Sequence, residues 1–142
     1  MLFMLFSMTA LSGCFSPRPW LDDPAEAPVD SVVVDLPVPK DFLYLTTRGF
    51  AEEDPVFKNR YIEAYYRGDR APDMVEVELE REMSALKWTP VEKSKAGDKK
   101  SFRFEKTRPG GENRRELCEI EIWRIGDATF VKFKIRPNWR KE

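Results

Sequence analysis

The chain has 142 residues, 35% charged and 42% hydrophobic, which is enough for one domain with a modest core and too little for two. It has no histidine and only two cysteines, Cys14 and Cys118, so histidine-based metal sites, Ser-His-Asp triads and Cys-His dyads are excluded within the chain. With 24 basic against 25 acidic residues the net charge is −1, giving neither a global basic field for nucleic acid nor an acidic, ion-storing character.

Residues Met1 to Gly13 carry no charge. As a helix they would span roughly 20 Å, short of the ~30 Å hydrocarbon core, so the run does not read convincingly as a membrane-spanning anchor. An apolar stretch followed by small residues has the form of a secretory signal peptide. Leu11-Ser12-Gly13-Cys14 resembles the lipobox of bacterial lipoproteins. The resemblance implies cleavage before Cys14, a thioether-linked lipid on its sulfur and acylation of the new amino group. Signal peptides normally open with positive charge and none precedes this run, so the true start is expected upstream of Met1. The competing reading is a buried N-terminal strand or helix with a chance Leu-Ser-Gly-Cys. If Cys14 carries lipid, Cys118 has no intrachain disulfide partner. The expected location is the bacterial cell envelope, with the outer membrane facing the periplasm as the default, because Phe15 follows Cys14 where an Asp might act as a retention signal.

Residues 14–40 follow as a lipidated cysteine and a Pro-rich acidic tether. Pro17, Pro19, Pro24, Pro28, Pro37 and Pro39 stand beside five acidic residues. Such a segment buries too little apolar surface to order itself, and it reads as a spacer. Ser31-Val32-Val33-Val34 is a candidate edge strand within it, and Trp20 reads as a residue packed back on the domain.

The domain is expected over residues 41–142. The pattern reads strand, strand, helix, then three or four strands, an α+β domain with an antiparallel sheet of about five to six strands and one helix on one face. The first two strands, Phe42 to Phe50 and Phe57 to Arg67, are joined by a loop at Ala51-Glu52-Glu53-Asp54-Pro55. Pro72 suits a first helical turn, where Asp73 and Glu76 either form a capping box or place acid at the positive end of the dipole. Val75, Leu79, Met83 and Leu86 form one apolar stripe, leaving Glu76, Glu78, Glu80 and Arg81 for a solvated face.

After Trp88 the period returns to two. Cys118, Ile120 and Ile122 alternate with Glu119 and Glu121, and Val131, Phe133 and Ile135 alternate with Lys132, Lys134 and Arg136. A two-residue turn at Gly126-Asp127 predicts pairs whose numbers sum to 253: Ile122 with Val131, Ile120 with Phe133 and Cys118 with Ile135 on one face. On the other face it pairs Glu121 with Lys132, Glu119 with Lys134 and Trp123 with Phe130.

No residue presents itself as catalytic, no metal-ligand set is expected and no cofactor is implied. Cys118 alternates with Ile120 and Ile122 and lacks a histidine to activate it, so it reads as a small buried hydrophobe. Glu119 with Glu121, and Glu80 with Glu82, are better explained by charge pairing than by acid/base or metal chemistry. Gly110-Gly111 opens no helix and reads as a turn.

The aromatic residues are the candidate partner-binding surface. If Leu43, Leu45, Ile62 and Ala64 face the helix, then Phe42, Tyr44, Tyr61 and Tyr65 face outward beside Trp123 and Phe130. The alternatives are that the tether or Trp20 covers them, or that the phase of the first hairpin is inverted, since both phases there contain apolar residues. Aromatics beside Lys132 and Lys134 would also suit single-stranded nucleic acid, against which envelope export argues.

The order of elements resembles small bacterial lipoproteins of unknown function. The resemblance rests on Leu36-Pro37-Val38-Pro39, a strand ending in Tyr66-Arg67-Gly68, a helix with Met83 and a terminal Trp88, and Phe104-Glu105-Lys106. It covers roughly Leu36 to Pro137 and implies no activity. Lys87 stands where such proteins often carry Gly before the Trp, so a different helix end is expected. The first reading is therefore a non-enzymatic, lipid-anchored envelope protein that binds or scaffolds another envelope component. Its rivals are a carboxylate-dependent hydrolase or lyase with a borrowed divalent cation, and an assembly factor using strand addition.

Overall fold

The computed structural model describes residues 35–45, 48–108 and 114–138. In chain order it contains β1 (Leu43–Tyr44), β2 (Phe50–Glu53), β3 (Arg60–Gly68), α1 (Pro72–Ala85), β4 (Thr89–Ala96), β5 (Lys99–Thr107), β6 (Arg115–Ile125) and β7 (Ala128–Pro137). The architecture is α+β: one antiparallel sheet in the order β1-β3-β7-β6-β5-β4, with β2 also on β3, and one helix between β3 and β4. β1 runs beside Tyr66 and Arg67, and β2 beside Arg60 to Glu63, so the two share one edge of β3.

Among the described residues the strands number seven rather than five or six because the expected first strand is interrupted. Leu45 leaves the ladder of β1, and the chain rejoins β3 at Phe50, which makes Ala51-Glu52-Glu53 strand rather than loop. The turn falls later, at Asp54 to Asn59, where Asp54 Oδ1 accepts the amides of Val56 and Phe57, both at 2.8 Å. An aspartate that binds the amides two and three residues on supplies its own turn. β3 accordingly starts at Arg60.

The β6–β7 hairpin has the predicted register throughout, from Ile125 opposite Ala128 to Cys118 opposite Ile135. Gly126 takes φ +57, the left-handed conformation that a two-residue turn demands and glycine adopts at least cost. One-residue slippage would carry Ile120, Ile122 and Phe133, all essentially inaccessible, to the opposite face.

Val75, Leu79 and Met83 of α1 pack on that apolar face, with Leu86 half-buried at the end of the stripe. The helix starts at Pro72 without a side-chain cap, so no capping box forms. It ends in a Schellman motif: the Trp88 amide donates to the Met83 carbonyl (3.0 Å) and the Lys87 amide to Ser84 (3.1 Å), with Met83 and Trp88 both in the core. Lys87 itself takes φ +69, so this helix makes the turn that glycine makes most cheaply.

The remainder of the same face is covered by residues that the sequence assigned to the tether. Leu36, Pro37 and Pro39 are buried, and the Trp88 indole donates to the Asp35 carbonyl at 2.8 Å. The domain therefore includes residues from Asp35 on, because Leu36 packs into the same core cluster as α1 and the sheet, and Pro39 is fully buried. Cys14, Trp20 and the Val32–Val34 run lie outside the described residues.

Candidate functional site

The sheet has two unlike faces. One carries α1 and residues 35–39; the other carries no helix among the described residues. Antiparallel pairing aligns side chains in rows across that open face. One row runs Glu92, Arg103, Glu119, Lys134 and Glu63 over β4, β5, β6, β7 and β3, alternating in charge at every step. The next runs Ser94, Ser101, Glu121, Lys132 and Tyr65.

The predicted pairing of Glu121 with Lys132 and of Glu119 with Lys134 holds as backbone register, but the ions choose diagonal or next-strand partners. Glu119 takes Arg103 at 3.3 Å and Arg136 at 3.4 Å, and Glu121 takes Lys99 at 2.8 Å. Lys132 and Lys134 converge on Glu63 of β3, at 3.9 and 3.8 Å. The hairpin alone could not reveal this, since Glu63 arrives from a strand some 70 positions away along the sequence.

Beside these rows lies an aromatic cluster. Trp123 and Phe130 stack with ring centroids 5.5 Å apart and planes 13° from parallel. Phe130 is only 1% exposed, packed with Tyr65 and with Leu45, which folds onto this face as its amide donates to the Tyr65 carbonyl (2.8 Å). Lys99 stands over the Trp123 ring at 5.7 Å and Lys132 over Tyr65 at 5.4 Å, within cation–π range. The Tyr65 hydroxyl donates to Glu63 at 2.9 Å, and burial together with that bond raises its pKa to about 12. Two shallow concavities result, about 270 Å³ over Ser94, Ser101, Arg103, Glu119 and Lys134, and about 510 Å³ over Tyr65, Lys99, Trp123 and Lys132.

Of the six aromatic candidates, Tyr65, Trp123 and Phe130 come together here, and Tyr61 is exposed on the same face of β3. Phe42 and Tyr44 do not join them, because the phase of β1 is inverted: both lie in the core on the helix side. The cause is local. Asp41 takes φ +63 in a turn closed by the Phe42 amide on the Pro39 carbonyl, and Gly68 leaves the backbone bare under the Phe42 ring. A Cβ at Gly68 would come within 2.5 Å of that ring. Leu43 is part-exposed and Leu45 faces away from the helix, opposite to expectation, whereas Ile62 and Ala64 face it.

The carboxylates suited to hydrolytic chemistry are held by cations. Glu80 binds Lys93 at 3.0 Å and Glu82 binds Arg81 at 3.0 Å. Glu76, expected on a solvated face, is buried between Lys93 and Lys100, which also binds Asp73. Among the described residues no group of three or more Cys, Asp or Glu is placed to hold a metal ion. Burial pushes the Cys118 thiol well above its ordinary pKa.

Sequence reasoning missed a charged cluster on the helix side. Arg60 donates to Asp35 through Nη1 (2.7 Å) and Nη2 (3.0 Å), and to Glu116 through Nε (2.8 Å) and Nη2. Lys106 reaches Asp35 at 3.2 Å, and Arg108 lies 3.6 Å from Glu116. Glu116 is 3% exposed. The period of two contained the signal, since Arg60 shares parity with Ile62, Lys106 with Phe104 and Glu116 with Cys118.

Strand addition meets a defended edge. β4 is wholly exposed, yet it contains Pro90, a register shift between Pro90 and Glu92, and Lys93 and Lys95. These are the devices that discourage edge pairing. No helix among the described residues is long and apolar enough to cross a membrane. Comparison with protein-family models, with curated proteins and with solved structures finds no match.

Proposed function

We propose that this is a lipid-anchored bacterial envelope protein that acts without catalysis, using the open face of its sheet to bind or scaffold another envelope component. The carrying observation is the asymmetry of the sheet. One face is closed by α1 and residues 35–39, while the other offers an ordered field of charge, two concavities and the half-buried Trp123 ring, backed by the buried Phe130. Aromatic rings rimmed by paired charges are typical of surfaces where a few anchors dominate binding. The sequence Leu11-Ser12-Gly13-Cys14 supports the anchor and the compartment.

Two measurements test the reading. Wild-type protein should incorporate a radiolabelled fatty acid and Cys14→Ser should not; equal labelling removes the anchor. A photo-crosslinking amino acid at Ser101, on the open face, should capture an envelope component from cells, while the same group at Arg81, on the exposed side of α1, should not. Absence of crosslinks from Ser101 removes the open face as the binding surface.

A further inference from the structure

The turn between β2 and β3 presents two neighbouring apolar side chains to solvent: Val56 is 74% and Phe57 65% exposed. The amides beneath them are internally satisfied. Asp54 N donates to the Asn59 carbonyl, Pro55 has no N–H, and the amides of Val56, Phe57 and Lys58 all bond to Asp54, each at 2.8 Å. The Lys58 carbonyl accepts Arg108 Nη1 at 2.8 Å. A tip whose amides already have partners needs hydration only at its carbonyls, which the headgroup region supplies, while its Val and Phe gain by leaving water. Tyr61 and Lys58, both exposed on the same hairpin, are residue types that sit at a membrane–water interface.

The position of this tip relative to the N-terminal segment decides its occupant. Asp35 is bound to Arg60, the residue on which β3 leaves the turn, and to Lys106 near the end of β5. The chain from Cys14 therefore reaches the domain at the same end of the sheet as Val56 and Phe57. Twenty residues, Phe15 to Val34, separate the two points, at most about 70 Å fully extended. Anchored in this way, that end of the sheet stays within about 70 Å of the lipid, a confinement in which a contact too weak to act alone becomes effective.

We infer that the Val56–Phe57 tip inserts into the interface of the bilayer carrying the lipid anchor, as a second contact that orients the open face relative to the membrane. The inference rests on the lipid-anchored reading. The test uses full-length lipidated protein with a thiol-reactive, environment-sensitive fluorophore at Phe57→Cys or, at the opposite end of the sheet, Asp98→Cys. Cys118 is buried and Cys14 would be blocked by its lipid. In vesicles of phosphatidylethanolamine and phosphatidylglycerol, the probe at 57 should shift to the blue and lose intensity with acyl-chain-brominated lipid, and the probe at 98 should do neither. Vesicle-bound protein whose probe at 57 behaves like that at 98 overturns the insertion alone. Protection of the probe at 57 from aqueous iodide in native envelopes, without quenching by brominated lipid, overturns it in favour of a protein partner. Wild-type protein that takes up the fluorophore at Cys14 overturns the anchor and the insertion together.

Discussion

Arg60 has all three guanidinium nitrogens committed to two carboxylates distant from each other in sequence, Asp35 and Glu116. Two parallel N–H···O bonds to a carboxylate are a geometry that lysine cannot reproduce. Arg60→Ala is expected to destabilise the domain by about 3 kcal/mol, measured by urea unfolding, because it leaves the nearly inaccessible Glu116 with the more distant Arg108 at 3.6 Å. Arg60→Lys should recover only part of that loss. Lys87 offers the opposite case. It holds φ +69, where a side chain is strained, in a Schellman turn that needs a left-handed residue. Lys87→Gly should therefore raise stability by about 1 kcal/mol, visible as a higher urea midpoint with an unchanged slope.

At the scale of elements, the β6–β7 hairpin shows what becomes of a pair of rings that the sequence places outward. Trp123 and Phe130 stack as cross-strand neighbours, but Phe130 is enclosed by Tyr65 and Leu45. Phe130→Ala should cost about 3 kcal/mol in thermal or urea unfolding, more than a solvated pair would. Lys132→Ala should cost well under ~1 kcal/mol, since its partner Glu63 keeps Lys134. Within this hairpin the register was legible because a glycine turn and two strict alternations admit one pairing. The helix was legible from Val75, Leu79 and Met83 for the same reason, a single period sustained over several turns. β1 was not, because Phe42, Leu43, Tyr44 and Leu45 are all apolar and either phase buries something; Asp41 and Gly68 decide it. Pro37 and Pro39 misled in another way. Their composition reads as spacer, whereas their rigid, extended backbone suits a segment laid across a sheet.

For the molecule as a whole, the ionisable groups define the pH range of the fold. Burial pushes the carboxyls of Asp35, Glu76 and Glu78 up, but hydrogen bonds from Arg60 and Lys106, from Lys100 and Lys93, and from the Lys40 amide and Arg70 outweigh it and hold all three below their ordinary values. Groups with depressed folded values stabilise the fold above their ordinary pKa near 4, and that contribution is lost as pH falls through the folded values. On the alkaline side, burial raises Tyr65 and Tyr66 to about 12. Their contribution is intact below the ordinary value of 10.0 and is lost as pH climbs from there to about 12. Urea midpoints measured against pH should thus decline below about pH 4 and again above pH 10.

The place of β7 in the sheet carries a consequence for how the domain comes into being. β7, the last strand among the described residues, lies between β3 and β6, so it joins the helix's preceding strand to the block of strands that follows the helix. Until Ala128–Pro137 has left the ribosome, β3 has only the short strands β1 and β2 beside it, and β4–β5–β6 end in an unfilled side. Closure joins residues as far apart as Ile62 and Ile135, a slow kind of pairing. The fold is therefore completed only when β7 pairs on both sides, and a chain whose β7 is withheld has no finished sheet, however much of α1 and β4–β6 has already formed.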